Sequence, residues 1–170
     1  MSYPAKPLSA LTVRVATAED FASIWPIFRA VVSRGDTYVY APETDEVEAE
    51  RLWMQLPLRT YVAELGGAIV GTYYLKPNQL GLGDHVANAG YMVADAARGQ
   101  GVASAMCLHS LDTARALGFK AMQFNFVVSS NHGAIRLWER HGFAVVGRVP
   151  GVFRHPALGL IPALVMHRFL

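Results

Sequence analysis

Apolar and polar residues alternate along Leu11–Ala16 (Leu, Thr, Val, Arg, Val), and that period of two predicts a strand. The period then lengthens. Phe21, Ile24, Trp25, Phe28, Val31 and Val32 recur at helical spacing, behind a capping Thr17 and a first turn holding Glu19 and Asp20. Gly35 ends that helix. An aromatic loop, Asp36–Pro42, leads to an acidic helix at about Glu43–Gln55. Tyr61–Leu65 and Ala68–Leu75 read as strands around Gly66-Gly67, a hairpin signal. Lys76–Asp84 reads as a loop, Val86–Val93 as a strand, Gly101–Leu117 as a helix closed by Gly118, and Ala121–Val128 as a strand. Asn131–His141 reads as a helix closed by Gly142. Two final strands are expected near Phe143–Val149 and Pro162–Phe169, with Phe153, Arg154 and His155 interrupting that hairpin as an exposed loop. A loose tail over residues 1–10 and one domain over 11–170 complete the expectation: a three-layer α/β fold with a mixed sheet.

Composition narrows the function classes. The 170 residues are 52% hydrophobic and 16% charged, which excludes a disordered chain. No stretch reaches the ~18 apolar residues of a spanning helix, so no membrane partner is expected. The N-terminus lacks an apolar core behind a basic start, so no signal peptide is expected. A lone cysteine, Cys107, permits no internal disulfide and suits the cytoplasm, the expected location. It lies amid Ala105, Met106 and Leu108 and is expected to be a buried structural thiol. The six histidines show no paired ligand spacing, so no metal is expected. The net charge of +2 is uneven: residues 1–56 carry five basic and eight acidic groups, residues 57–170 ten basic and five acidic. The later part can attract a small anion, but its basic residues are scattered singly, unlike a nucleic-acid surface.

The most informative stretch runs from Tyr91 to Ser104, Tyr-Met-Val-Ala-Asp-Ala-Ala-Arg-Gly-Gln-Gly-Val-Ala-Ser. A strand enters a tight turn with Gly99 and Gly101, and a helix begins there. Unpaired amides at a helix start, reinforced by the helix dipole, form an anion site, and Arg98 adds positive charge at its lip. Gly-x-x-x-x-Gly-Lys-Ser/Thr is absent. A dinucleotide fold would want Gly or Ala at position 104 and an acid about 20 residues on. Position 104 is Ser, and Ala121 to Asn125 holds no carboxylate.

Arg98-x-x-Gly101-x-Ala103 after Val93 resembles the acetyl-CoA loop of the GNAT (Gcn5-related) N-acetyltransferases. Asn131-x-x-Ala-x-x-Leu137-Trp138-x-x-x-Gly142-Phe143 resembles that family's Asn-x-x-Ala-x-x-Leu-Tyr-x-x-x-Gly-Phe segment, in the same order. The resemblance covers residues 11–170. It implies the GNAT fold: a central mixed, largely antiparallel sheet of about seven strands with four helices. It also implies acetyl-CoA as co-substrate. The diphosphate would lie on the amides of Gly99, Gly101, Ala103 and Ser104, supported by Arg98, within the contact stretch Arg98, Gly99, Gln100, Gly101, Val102, Ala103 and Ser104. The pantetheine arm would add to the edge of Tyr91, Met92 and Val93 like an extra strand. Asn131 would contact that arm or adjoining backbone, and Trp138 would shape the pocket. Relatives are often dimers, so a homodimer is a possible assembly.

Residues 75–150 also resemble the fungal proline-analogue (azetidine-2-carboxylate) N-acetyltransferases. The resemblance is carried by Leu75-Lys-Pro-Asn, His85-Val-Ala-Asn-Ala-Gly-Tyr91 and Phe124-Asn-Phe-Val-Val-Ser-Ser-Asn131, with Trp138 in place of the commoner Tyr. It implies that Asn125 holds a substrate carboxylate, that Asn88 orients a water or the amine, and that Tyr91 lines the pocket. Tyr38 and Tyr40, behind the first helix, would close over the acceptor or serve as core.

Physical chemistry bears on the same residues. Asn is depleted in strands, and a buried amide needs its bonds made; either a ligand or a local bulge would satisfy Asn88 and Asn125. Direct attack on a thioester needs a deprotonated amine, so a water relay held by Asn88 and ending at Asp84 or His85 is expected. The Tyr91 amide would take the oxyanion. An indole N–H is no acid, so Trp138 leaves Tyr91 as the candidate acid, or the thiolate (ordinary thiol pKa about 8.5) departs without one. Arg154 would reach a carboxylate or lie in an exposed loop, and the exposed loop is the expectation. The expected function is acetyl transfer to the amine of a small amino or imino acid. The alternatives are another amine (a herbicide- or antibiotic-like amino acid, or a protein N-terminus) and a non-catalytic acetyl-CoA-binding module.

Overall fold

Two left-handed glycines set the first hairpin: Gly66 (φ 62°) and Gly67 (φ 80°) turn β2 (Arg59–Leu65) back onto β3 (Ala68–Pro77). The computed structural model describes residues 10–170, and the tail expected over 1–10 falls, but for Ala10, outside them. β1 (Thr12–Val15) pairs with β2, and β3 pairs with β4 (Val86–Val93), all antiparallel. β4 and β5 (Ala121–Val128) are joined through helix α3 (Val102–Ala116), and as the crossover connection requires, they run parallel. β6 (Ala144–His155) and β7 (Gly159–Phe169) complete the sheet in the order β1-β2-β3-β4-β5-β7-β6.

Strand alternation divides the side chains into two cores. One holds Tyr61, Tyr73, Leu75, Met122 and Phe124 under α3 and α4 (His132–Arg140). The other packs Val62, Tyr74 and Met92 against α1 (Phe21–Val32) and α2 (Glu46–Glu50). The expected three-layer, seven-stranded α/β architecture is present, with four α-helices among the described residues. None of those helices is long and apolar enough to cross a membrane. Cys107 is fully buried, as expected, and burial pushes its thiol up to about 12.

Three expectations are corrected. The acidic helix begins at Glu46, not Glu43, because the Asp45 carboxylate caps it by accepting from the Glu48 amide at 2.9 Å. It ends in a π-helical turn, Arg51–Gln55, that buries Trp53 completely. Phe153–His155 is not an exposed loop. These residues pair with Gly159–Ile161, because a register shift between Val149 and Phe153 absorbs Pro150-Gly151-Val152 as a bulge. The β3 strand runs on through Lys76 and Pro77, which had been read as loop.

Candidate active site

β4 and β5 pair only at Val86↔Ala121 and Ala87↔Met122, and then diverge. The Asn88 amide spans the start of the gap, donating to the Gln123 carbonyl at 3.0 Å. The polarity of the wedge follows from the β3–β4 ladder. At one end the Asn78 N–H bonds the Val86 carbonyl at 2.7 Å; at the other the Ala94 N–H bonds the Val70 carbonyl at 2.8 Å. Antiparallel partners alternate between bonded and unbonded pairs, so Thr72↔Met92, Tyr74↔Gly90 and Lys76↔Asn88 exchange bonds while Gly71↔Val93 and Tyr73↔Tyr91 do not. The main-chain groups of Tyr91 and Val93 therefore face the wedge. The Tyr38 hydroxyl donates to the Tyr91 carbonyl there at 2.8 Å. The Tyr91 and Val93 amides lie where β4 has no strand partner on that side.

At the far end of the wedge lies the glycine turn. Gly99 (φ 75°) and Gly101 (φ 79°) are left-handed, and a Cβ at either would meet nothing within 4 Å. Their requirement is conformational, and it leaves the turn open. The first intrahelical bond of α3 runs from Ala105 to Gly101 at 3.0 Å, so the amides of Val102, Ala103 and Ser104 have no helical acceptor. The turn and the wedge share one cavity of about 1230 Å³. A chain of linked phosphate and amide groups fits such a slot.

Two cations at the turn share one carboxylate. Arg98 binds Asp95 at 3.0 Å, and Arg34 binds the same carboxylate at 3.1 Å. The expected lone charge on Arg98 is therefore shared with Asp95. The Ser104 hydroxyl meets His141 Nε2 at 2.8 Å; desolvation, then the nearby cations Arg140 and Arg168, hold that imidazole below its ordinary value. His141 was passed over in the sequence because no spacing marks it.

On the α3/α4 side, Trp138 lies against Tyr91 (centroids 4.9 Å apart) and Phe124 (5.0 Å), nearly buried at the cavity wall. Asn131 caps α4, accepting from the Ala134 amide at 3.3 Å, so its side chain serves the adjoining backbone. The Tyr91 phenol lies within this layer. Its hydroxyl shares a 2.6 Å bond with Ser110 and reaches Met122 Sδ, and desolvation drives it well above the ordinary tyrosine value. The bond to Ser110 holds the hydroxyl away from its expected role as acid, while Tyr91 lines the cavity as expected and turns its backbone to the wedge.

The α1/α2 side of the cavity carries Tyr38, Tyr40, Tyr74, Lys76 and Asn88. Tyr38 and Tyr40 stack at 5.6 Å, and burial raises both phenols. The Tyr74 hydroxyl donates to Asn88 Oδ1 at 3.3 Å, so Asn88 keeps one N–H and one lone pair. Asp36 Oδ1 and Thr37 Oγ1 are buried without hydrogen-bond partners, and both residues line the same cavity. His155, at the tip of the β6–β7 hairpin, also lines it; its Nδ1 accepts from the amides of Ala157 (3.1 Å) and Leu158 (3.2 Å). In the neutral ring this places the proton on Nε2.

Other expectations are not met. Met92 is buried in the α1/α2 core and its main chain bonds Thr72, so it offers nothing to the wedge. Gln100 folds back onto the Ala96 carbonyl at 3.0 Å, away from the cavity. Asp84 and His85 are exposed at the opposite end of β4 and do not line the cavity. Asn125 is exposed, not buried, because a register break between Phe124 and Val127 bulges it outward. It lines the cavity and bonds Asn78 (2.6 Å) and Gln123 (3.0 Å). Tyr74, Lys76 and Asp36 were missed, although Tyr74 and Lys76 become legible once the register places them opposite Gly90 and Asn88.

Residues 21–143 match the profile of the Acetyltransferase (GNAT) family. A GCN5-related N-acetyltransferase from Kribbella flavida superposes with a TM-score of 0.90 at 47% identity, over 95% of this chain and 98% of that one. A phosphinothricin acetyltransferase (Pat) from Sinorhizobium meliloti, solved in complex with AcCoA, shares the fold with a TM-score of 0.83 at 22% identity, over 94% and 88% of the two chains. N-acetyltransferase aca1 of Schizosaccharomyces pombe is 36% identical over 80 residues, which are 47% of this chain and 38% of that protein's length.

Proposed function

The chain belongs to the GNAT acetyltransferase family, and on that premise we propose that it transfers acetyl from acetyl-CoA to the amine of a small amino or imino acid. The observation that carries this reading is the two-residue contact between β4 and β5, which leaves the amides of Tyr91 and Val93 open beside a left-handed glycine turn. The amides of Gly99, Gly101, Ala103 and Ser104 would hold the diphosphate. The main chain of Val93 would pair with the pantetheine arm as a strand does, which leaves the Tyr91 N–H at the thioester. Acetyl-CoA supplies an activated carbonyl with a thiolate leaving group.

The chain's own residues then divide the work. The Tyr91 N–H takes the carbonyl oxygen as it gains negative charge; one such donor is typically worth about 10²–10³ in rate. Tyr38, bonded to the Tyr91 carbonyl, fixes the wall beside that donor. Asn88, with one N–H and one lone pair free, holds a water that accepts the amine's proton. The departing thiolate takes its proton from water, since the Trp138 N–H is no acid and the Tyr91 hydroxyl is engaged with Ser110.

The test is thiol release from acetyl-CoA against a panel of amino and imino acids, with calorimetry of acetyl-CoA binding alongside. Acetyl-CoA binding with turnover of at least one amine is expected. Binding without thiol release from any amine would make the protein a non-catalytic binder, and no heat at all would remove the reading.

A further inference from the structure

Lys76 stands apart from the other cations of the cavity. Arg34 and Arg98 are both bound to Asp95. Arg140 and His141 lie at the end of α4, where His141 joins the glycine turn through Ser104. Lys76 takes part in none of the ion pairs among the described residues.

Asp36, a carboxylate that lines the same cavity, is paired with Arg34 at 3.8 Å rather than with Lys76. Lys76 is the ladder partner of Asn88, so the two side chains lie side by side on the α1/α2 face. Its Nζ sits 5.5 Å from the centroid of the Tyr74 ring. Tyr74 and Asn88 are already bonded to each other, and Asn125 to Asn78. An ammonium without a carboxylate, half-buried beside an aromatic ring and facing a cavity, attracts an anion and repels a further cation.

We propose that Lys76 is the specificity-determining residue of the acceptor site, binding an anionic group, a carboxylate or a phosphorus oxyanion, that the acceptor carries next to its amine. The assignment rests on the acetyltransfer reading above and deepens it. It moves anion recognition from Asn125, whose amide is tied to Asn78, to Lys76. It also separates free amino acids from protein N-termini, where the neighbouring carboxyl is an uncharged amide.

The experiment compares L-azetidine-2-carboxylate and L-proline with their carboxamides and with phosphonates of the same skeletons, in wild type, Lys76→Gln and Lys76→Arg. Wild type is expected to favour the acids over the amides by at least about tenfold in kcat/KM. Lys76→Gln should lose about 10–100-fold on the acids, through KM, with amide turnover and the KM for acetyl-CoA unchanged. Lys76→Arg should restore most of the loss. Turnover of phosphonates in place of acids identifies the phosphorus oxyanion as the preferred group and still supports the assignment. Equal wild-type turnover of acid and amide overturns it while leaving the acetyltransfer reading intact, and so does an equal loss of both in Lys76→Gln. Absence of thiol release from every amine overturns both. Should Lys76→Gln fail to fold, Lys76→Arg and the wild-type ratio still test the assignment: a ratio of acid to amide near one overturns it.

Discussion

Replacing Gly90 by Ala tests the acceptor wall with a single methyl group. Gly90 is buried in β4 and its φ is not positive, so alanine meets no backbone strain there. The obstacle is steric: the new Cβ would stand 2.7 Å from Tyr74 Cε1, 3.0 Å from Cζ and 3.1 Å from the hydroxyl oxygen. The ring must retreat by about 0.7 Å to reach ordinary contact. Tyr74 cannot do so freely. Trp53 packs edge-on at 4.9 Å, and the hydroxyl is bonded to Asn88. Overpacking of this kind costs about 1–3 kcal/mol. With a urea m-value of ~2 kcal/mol per M, the unfolding midpoint should fall by about 0.5–1.5 M. The kinetic signature is a raised KM for the acceptor with an unchanged KM for acetyl-CoA. Gly71→Ala is the counterpart. Its Cβ would meet Val102 Cγ1 at 2.9 Å and Met106 Cε at 3.0 Å, displacing the first turn of α3 and so raising the KM for acetyl-CoA instead. An unchanged midpoint and unchanged acceptor KM in Gly90→Ala, or the same kinetic split from both glycines, would refute the division of the cavity into two ends.

Other measurements probe single atoms. Tyr91→Phe should keep kcat within about threefold, because the oxyanion donor is the backbone N–H; a loss of 10²-fold or more would restore the phenol as acid. Thr72→Val removes a buried hydroxyl that accepts from Trp53 Nε1 (3.0 Å) and donates to the Tyr61 carbonyl (2.8 Å), and should cost about 2–4 kcal/mol in chemical denaturation. His109 and His141 are both held below the ordinary imidazole value of 6.5, chiefly by desolvation. The unfolded chain protonates these groups first, so their contribution is complete above about pH 6.5 and declines as pH falls below it. Replacing both with Gln should flatten the stability profile below about pH 6.5; an unchanged slope would disprove the assignment.

Local chemistry determined a large part of this protein. Val86–Val93 and Ala121–Val128 are strands at the residues where the sequence pattern puts them, since short apolar runs bounded by turn formers have few other ways to bury themselves. Gly66-Gly67 and Gly99-x-Gly101 marked the hairpin and the open turn because only glycine occupies positive φ without strain. What local chemistry could not decide was direction. Tyr91 shows its backbone to the wedge and its phenol to α3 because the ladder register, a property of two strands, sets which groups are free. Asn88 and Asn125 looked equivalent as strand amides, yet the bulge after Phe124 turned one outward and left the other bridging to Gln123. Lys76 read as the first residue of a loop, and only its pairing with Asn88 places an unpaired ammonium in the cavity. Period and turn chemistry act between neighbours along the chain, whereas the cavity is made of groups that meet only after the strands have found their partners.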